Sequence, residues 1–207
     1  MPTTINNLLN KAGLDKSQLK TVKWGQRLDS SSIGIYIVST SGLPNENTNL
    51  HDNAPIDEII LRSWLDKVGT LQLDGKQNPT IKDLKNRLNN FWLPDENIIY
   101  IGQTESGGGL KSRVNQYYRT DLGERKPHAG GHWIKILKTL NQLYVHYIPT
   151  QKPNDTEEEL LRYFIEQVSD KSKQKLFDPT LPIPFANLEL ERGNRKKHGI
   201  SKSKLGD

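Results

Sequence analysis

Residues 98–113, "IIYIGQTESGGGLKSR", run an apolar stretch into three glycines and a Lys-Ser-Arg cluster, a combination that could handle phosphate. A nucleotide phosphate loop requires Gly, four residues, then Gly-Lys-Ser/Thr, so that the lysine reaches phosphates cradled by backbone amides. Gly102 and Gly107 have that gap, but Gly108 stands in the lysine's place and Lys111 follows only after Leu110. The spacing points away from a nucleotide cofactor, and the glycines read as a turn from strand to helix. Such a turn brings a strand edge and a helix start together. Arg113 and Tyr117, four apart, then project from one helix face into the space that Tyr100 enters from its strand. Tyr36 closes a similar apolar step, "GIY", on an earlier run.

The other candidate groups are carboxylates and histidines. Glu157, Glu158 and Glu159 open one helical segment. Thr156 and Glu159 have the spacing of a capping box, which gives Glu159 a structural task. Glu158 reads as a solvated first-turn carboxylate. Leu160, Leu161, Phe164 and Val168 follow Glu157 at helical spacing, which sets that carboxylate on the core-facing stripe and singles it out. His128 and His132, in "HAGGHW", have two glycines between them and no carboxylate nearby in sequence, so a loop is expected there rather than a metal pair. The chain has no cysteine, which excludes a disulfide scaffold, Cys-ligated zinc and a thiol nucleophile.

The elements that must carry these groups alternate between strand and helix. "SSIGIYIVST", "NIIYIGQT" and "LYVHYIPT" read as strands. "PIDEIILRSWLDKVG" places Ile59, Ile60, Trp64, Leu65 and Val68 at helical spacing and stops at Gly69. "TIKDLKNRLNNFW" repeats the pattern behind a Thr80 cap. "LKSRVNQYYRTDL" and "NDTEEELLRYFIEQVSD", the latter capped by Thr156, are the remaining long helices, whereas 6–12 and 16–23 read as short helical or irregular pieces. Pro179, Pro182 and Pro184 keep "LFDPTLPIPFANLEL" extended. The expected fold is α+β in one domain of 207 residues: a small three-stranded antiparallel sheet flanked by helices. It carries an N-terminal extension (1–30), a helical insertion between the first two strands (39–97) and a basic tail (188–207).

The net charge of +5 suggests a polyanionic partner without naming one, and the tail gathers Arg192, Arg195, Lys196 and Lys197, a cluster that reads either as a contact for nucleic-acid phosphates or as a solubilising end. No segment has the apolar length of a signal peptide or a membrane span, so a cytoplasmic protein without a membrane partner is expected.

Taken in order, Gly34-Ile35-Tyr36, Tyr100-Ile101-Gly102, Arg113, Tyr117, the glutamate helix and Asn187 in "PIPFAN" resemble the signature of the GIY-YIG nuclease superfamily, its restriction-endonuclease-like members in particular. The resemblance runs from Gly34 to Asn187 and departs from the family at 39–97, where most members have a short connection. It implies a metal-dependent endonuclease that hydrolyses DNA phosphodiesters. Glu157 would hold one divalent cation, Mg²⁺ or another such as Mn²⁺. Arg113 would clamp the scissile phosphate, Tyr36 would take the proton of the attacking water, Tyr100 and Tyr117 would orient that water, and Asn187 would position the glutamate segment or a phosphate. A restriction role and a repair or structure-specific role both stay open. So does a nucleic-acid-binding module of the same fold without chemistry.

Overall fold

A computed structural model of the chain describes residues 3–47, 51–124 and 129–202. Helix α1 (Ile5–Lys11) is capped by the Thr4 hydroxyl, which accepts from the Asn7 amide, and leads to strands β1 (Lys20–Lys23) and β2 (Gly34–Ser39). The insertion folds as α2 (Glu58–Val68), the hairpin β3 (Leu71–Leu73) and β4 (Lys76–Gln77), and α3 (Ile81–Asn89). Then come β5 (Ile98–Thr104), α4 (Gly109–Arg119), α5 (Ala129–Lys135), β6 (Tyr144–Pro149), α6 (Pro153–Gln167) and α7 (Asp170–Lys173). Three short strands end the described chain: β7 (Glu189–Glu191), β8 (Asn194–Arg195) and β9 (Ile200–Lys202). Among the described residues, no helix is long and apolar enough to cross a membrane.

The architecture is α+β, with an antiparallel central sheet in the order β1-β6-β2-β5. The expected sheet had three strands; β1 is the fourth, where a helical or irregular piece was read. Its sequence, KTVK, shows only Val22 half-buried, so the strand comes from pairing with β6 rather than from an apolar pattern. Strand β2 lies inside the sheet with both faces covered, which is why "GIYIVS" is buried throughout instead of alternating. Tyr36 and Val38 join one apolar cluster with α4, α5 and the insertion helices, and Ile35 and Ile37 join the opposite cluster with α1 and α6.

Helices α2 and α3 form as the periodicity predicts, the second behind a capping box in which the Thr80 hydroxyl accepts from the Asp83 amide and the Asp83 carboxylate from the Thr80 amide. On α2, Ile60, Trp64, Leu65 and Val68 pack on the core as expected, joined by the fully buried Leu61, whereas Ile59 is 81% exposed. α6 starts earlier than Thr156. Pro153, whose fixed φ suits a first helical position, opens it, and the Thr156 hydroxyl lies within the helix, donating to the Lys152 carbonyl at 2.7 Å. The expected Thr156–Glu159 capping box is therefore absent. Glu159 is exposed, and Glu158 pairs with Arg162 four residues on.

The basic tail is folded over its described residues, 188–202. β7 and β8 form a hairpin, and β9 pairs with β3, so tail and insertion share a three-stranded sheet, β4-β3-β9. Arg87 of α3 fastens them, binding both carboxylate oxygens of Asp74 and donating to the His198 carbonyl at 2.9 Å.

The two caps give a direct comparison. Thr80→Ala should cost about 0.5–2 kcal/mol in urea unfolding. Glu159→Gln should shift stability by less than ~0.5 kcal/mol, as an exposed substitution without a cap role.

Candidate active site

Tyr36 stands opposite Gly102 in the β2–β5 register. A side chain at Gly102 would press on the Tyr100 ring and lie 2.7 Å from Cζ of Tyr36, so only glycine lets the two rings lean together over the strand. Tyr117 completes the group from α4. Ring centroids are 5.8 Å apart for Tyr36–Tyr100, 6.1 Å for Tyr36–Tyr117 and 5.4 Å for Tyr100–Tyr117. Tyr36 and Tyr117 are buried and Tyr100 is half-buried at the mouth.

The glycine-rich turn sets α4 in place by a different route from a phosphate loop. Gly109 has φ +60° and lies against the backbone of Ser31, too close for any Cβ. The next two amides of the helix start donate to carbonyls, Leu110 N to Ser32 O at 2.9 Å and Lys111 N to Ser30 O at 2.8 Å. These donors, which a bound phosphate would need, are spent on the chain itself.

Arg113 and Glu157 supply opposite charges to the phenol group. Arg113 is half-buried on α4, and its Nε is shielded from solvent with no hydrogen-bond partner among the described residues. Glu157 is half-buried on α6, as the stripe argument expects, with Leu160, Leu161, Phe164 and Val168 in the core below it. Burial pushes its carboxyl up to about 7, against the opposing pull of Arg113. Among the described residues the two form no ion pair with each other or with any other group. An unpaired guanidinium and an unpaired carboxyl thus face one space.

Burial also raises the hydroxyl pKa of Tyr36, Tyr100 and Tyr117 well above that of an ordinary phenol. Neighbouring phenols and Glu157 add to the rise, and Arg113 opposes it at Tyr36 and Tyr117. Burial wins, so Tyr36 holds its proton. The expected part of proton acceptor therefore requires a bound cation, with Arg113, to favour the phenolate; without one the phenol can donate to, and orient, a water or phosphate oxygen.

Asn187 is fixed against β5. It is buried, its Oδ1 accepts from the Ile101 amide at 2.9 Å, and its Nδ2 donates to the Ile101 carbonyl at 2.7 Å. Both ends of the amide are engaged with the outer edge of β5. Of the tail cations, Arg192, Arg195 and Lys197 are exposed. Lys196 is corrected: its ammonium is buried, donates to the Pro184 and Phe185 carbonyls at 3.0 and 2.9 Å and lies over the rings of Phe91 and Trp133. Burial lowers its pKa to about 7, and a DNA phosphate is beyond its reach.

His128 lies outside the described residues. His132 sits on α5 rather than in a loop, buried with Nε2 3.0 Å from the Glu124 carbonyl and its ring against Trp64. Among the described residues no group of three His, Asp or Glu gathers that could hold a metal. Trp24, in the N-terminal extension, packs edge-on against Tyr117 and Tyr118 with centroids at 6.2 and 4.9 Å. Its place at the site carries no sequence signal beyond its position after β1.

No family model, curated protein or solved structure matches the chain.

Asn187→Leu removes two hydrogen bonds from a buried strand edge and leaves the Ile101 amide and carbonyl unsatisfied. About 1–3 kcal/mol per orphaned group is expected, read as a lower denaturation midpoint. An unchanged midpoint would show that the edge finds other partners.

Proposed function

We propose that the chain is a divalent-cation-dependent endonuclease of the GIY-YIG kind, acting on DNA phosphodiesters. The observation that carries this reading is the pair Arg113 and Glu157, neither in an ion pair among the described residues, around three phenols whose burial disfavours ionisation. Charged groups this shielded are ordinarily paired, and leaving both unpaired suits a site completed by an anion and a cation.

Glu157 is the residue that would hold the cation. A single carboxylate with water and substrate phosphate oxygens suits Mg²⁺, and Mn²⁺ by the same oxygen chemistry. When bound, the ion supplies neutralisation of charge on the reacting phosphate. Arg113 offers its planar fork to the scissile phosphate from the other side. Tyr36 and Tyr100 orient the attacking water and a phosphate oxygen, with Tyr117 holding the group from α4. Asn187 keeps β5, and with it Tyr100, in place. Arg192, Arg195 and Lys197 extend the contact along the DNA backbone.

Plasmid cleavage with and without Mg²⁺ tests the reading. Glu157→Gln should abolish cleavage with DNA binding near normal, and Arg113→Ala should be inactive as well. Glu158→Gln and Glu159→Gln should still cut. A folded Glu157→Gln protein that cuts at the wild-type rate would sink the assignment, and a wild type that binds DNA without ever cutting it would favour a non-catalytic module.

The carboxyl near 7 makes cation binding pH-dependent. The ion requires the ionised form, so Mn²⁺ affinity should rise roughly tenfold between pH 6 and pH 8 and level off above. In the tail, replacing Arg192, Arg195 and Lys197 by Ala should flatten the salt dependence of DNA binding by roughly 0.9 per lost contact. Lys196→Ala should instead lower the unfolding temperature.

A further inference from the structure

Strand β5 alternates its side chains across the sheet: Tyr100 packs with the α4 side, while Ile101 belongs to the cluster beneath α6. Gln103, two residues after Ile101, therefore points to the α6 side. Its Nε2 donates to Oδ1 of Asn154 at 2.5 Å, in the first turn of α6. Asn154 stands three residues before Glu157, so both rise from one side of the helix. The other end of the Gln103 amide, Oε1, is shielded from solvent and makes no hydrogen bond among the described residues. The seam between β5 and α6 thus holds a carbonyl oxygen without a partner among the described residues, on an amide tied through Asn154 to the helix that carries Glu157. Buried acceptors are nearly always satisfied, and an unsatisfied one calls for an absent partner.

We propose that Gln103 supplies, through Oε1, a second protein oxygen to the divalent cation held by Glu157. This rests on the reading of Glu157 as the cation's anchor. An amide carbonyl is a hard, neutral oxygen ligand of the kind Mg²⁺ and Mn²⁺ accept. Its bond to Asn154 fixes the amide, so the oxygen is aimed before the ion arrives. Asn154 is in this arrangement a positioning residue.

Mn²⁺ binding to the full chain, followed by loss of the free ion's paramagnetic resonance signal, tests this without reference to cleavage. Gln103→Leu should weaken binding at least ~10-fold. Gln103→Glu, which adds a second carboxylate, should tighten it. Wild-type affinity in a folded Gln103→Leu protein would overturn the proposal. Should that variant fail to fold, Gln103→Glu decides, and unchanged or weaker binding would count against Gln103. Glu157→Gln separates the two readings: if it binds Mn²⁺ as the wild type does, the anchor itself is wrong. If it loses binding while Gln103→Leu keeps it, Glu157 stands and Gln103 falls. A wild type that binds no Mn²⁺ would overturn both.

Discussion

The side-chain amide of Asn187 on the outer edge of β5 is the constraint on which the site depends. An edge strand presents unpaired amides and carbonyls and must have them covered. Here the Ala186 amide donates to Ile99 and the Asn187 side chain pairs both ways with Ile101, so the segment from 186 onward acts as a fifth strand without being one. Tyr100, Gly102 and Gln103 flank that one residue. A β5 free to slip would move each of them, because a shift of one residue exchanges the faces of the sheet. Asn187 thus bears on the site through the position of β5.

Electrostatics around that strand are left unsatisfied in the protein by itself. Glu157 has a folded-state pKa of about 7 against an ordinary 4.5, so the folded chain holds a proton that the unfolded chain releases. Stability tied to this group is full below pH 4.5, declines as pH rises towards 7 and then levels off. A bound cation would reverse that cost, since a ligand that binds only the folded chain stabilises it. The same burial that opposes ionisation of Glu157 keeps the phenols neutral, and Arg113 is too isolated to overcome it.

Much of this was legible in the sequence. β2, β5 and β6 announce themselves by apolar and aromatic runs, α3 by its Thr80 cap, and Glu157 by its place on the α6 stripe. Such signals are local. What was not legible depends on partners far along the chain. β1 is polar and becomes a strand only beside β6, and β3 and β9 find each other across more than half of the sequence. Lys196 reads as a surface cation until Phe91, Trp133 and two carbonyls enclose it. The start of α6 was misplaced because Thr156 and Pro153 compete for the same helix terminus, and the proline's fixed φ prevails over the capping hydroxyl.

Folding of the tail changes what its charges can do. A loose basic end would lose conformational freedom each time it met a phosphate, which subtracts from affinity. The hairpin here is tied at several points: Asn187 holds its root to β5, the Glu191 carboxylate accepts from Arg162 of α6 at 2.9 Å, and the Lys196 amide donates to the Leu188 carbonyl while its side chain is sealed in the core. The Lys197 amide donates to Asp178. Arg192 and Arg195 are therefore presented from a frame fixed to the strand and helix that carry Tyr100 and Glu157. With the hairpin backbone ordered by these bonds, binding of a phosphate would cost chiefly the freedom of the two side chains.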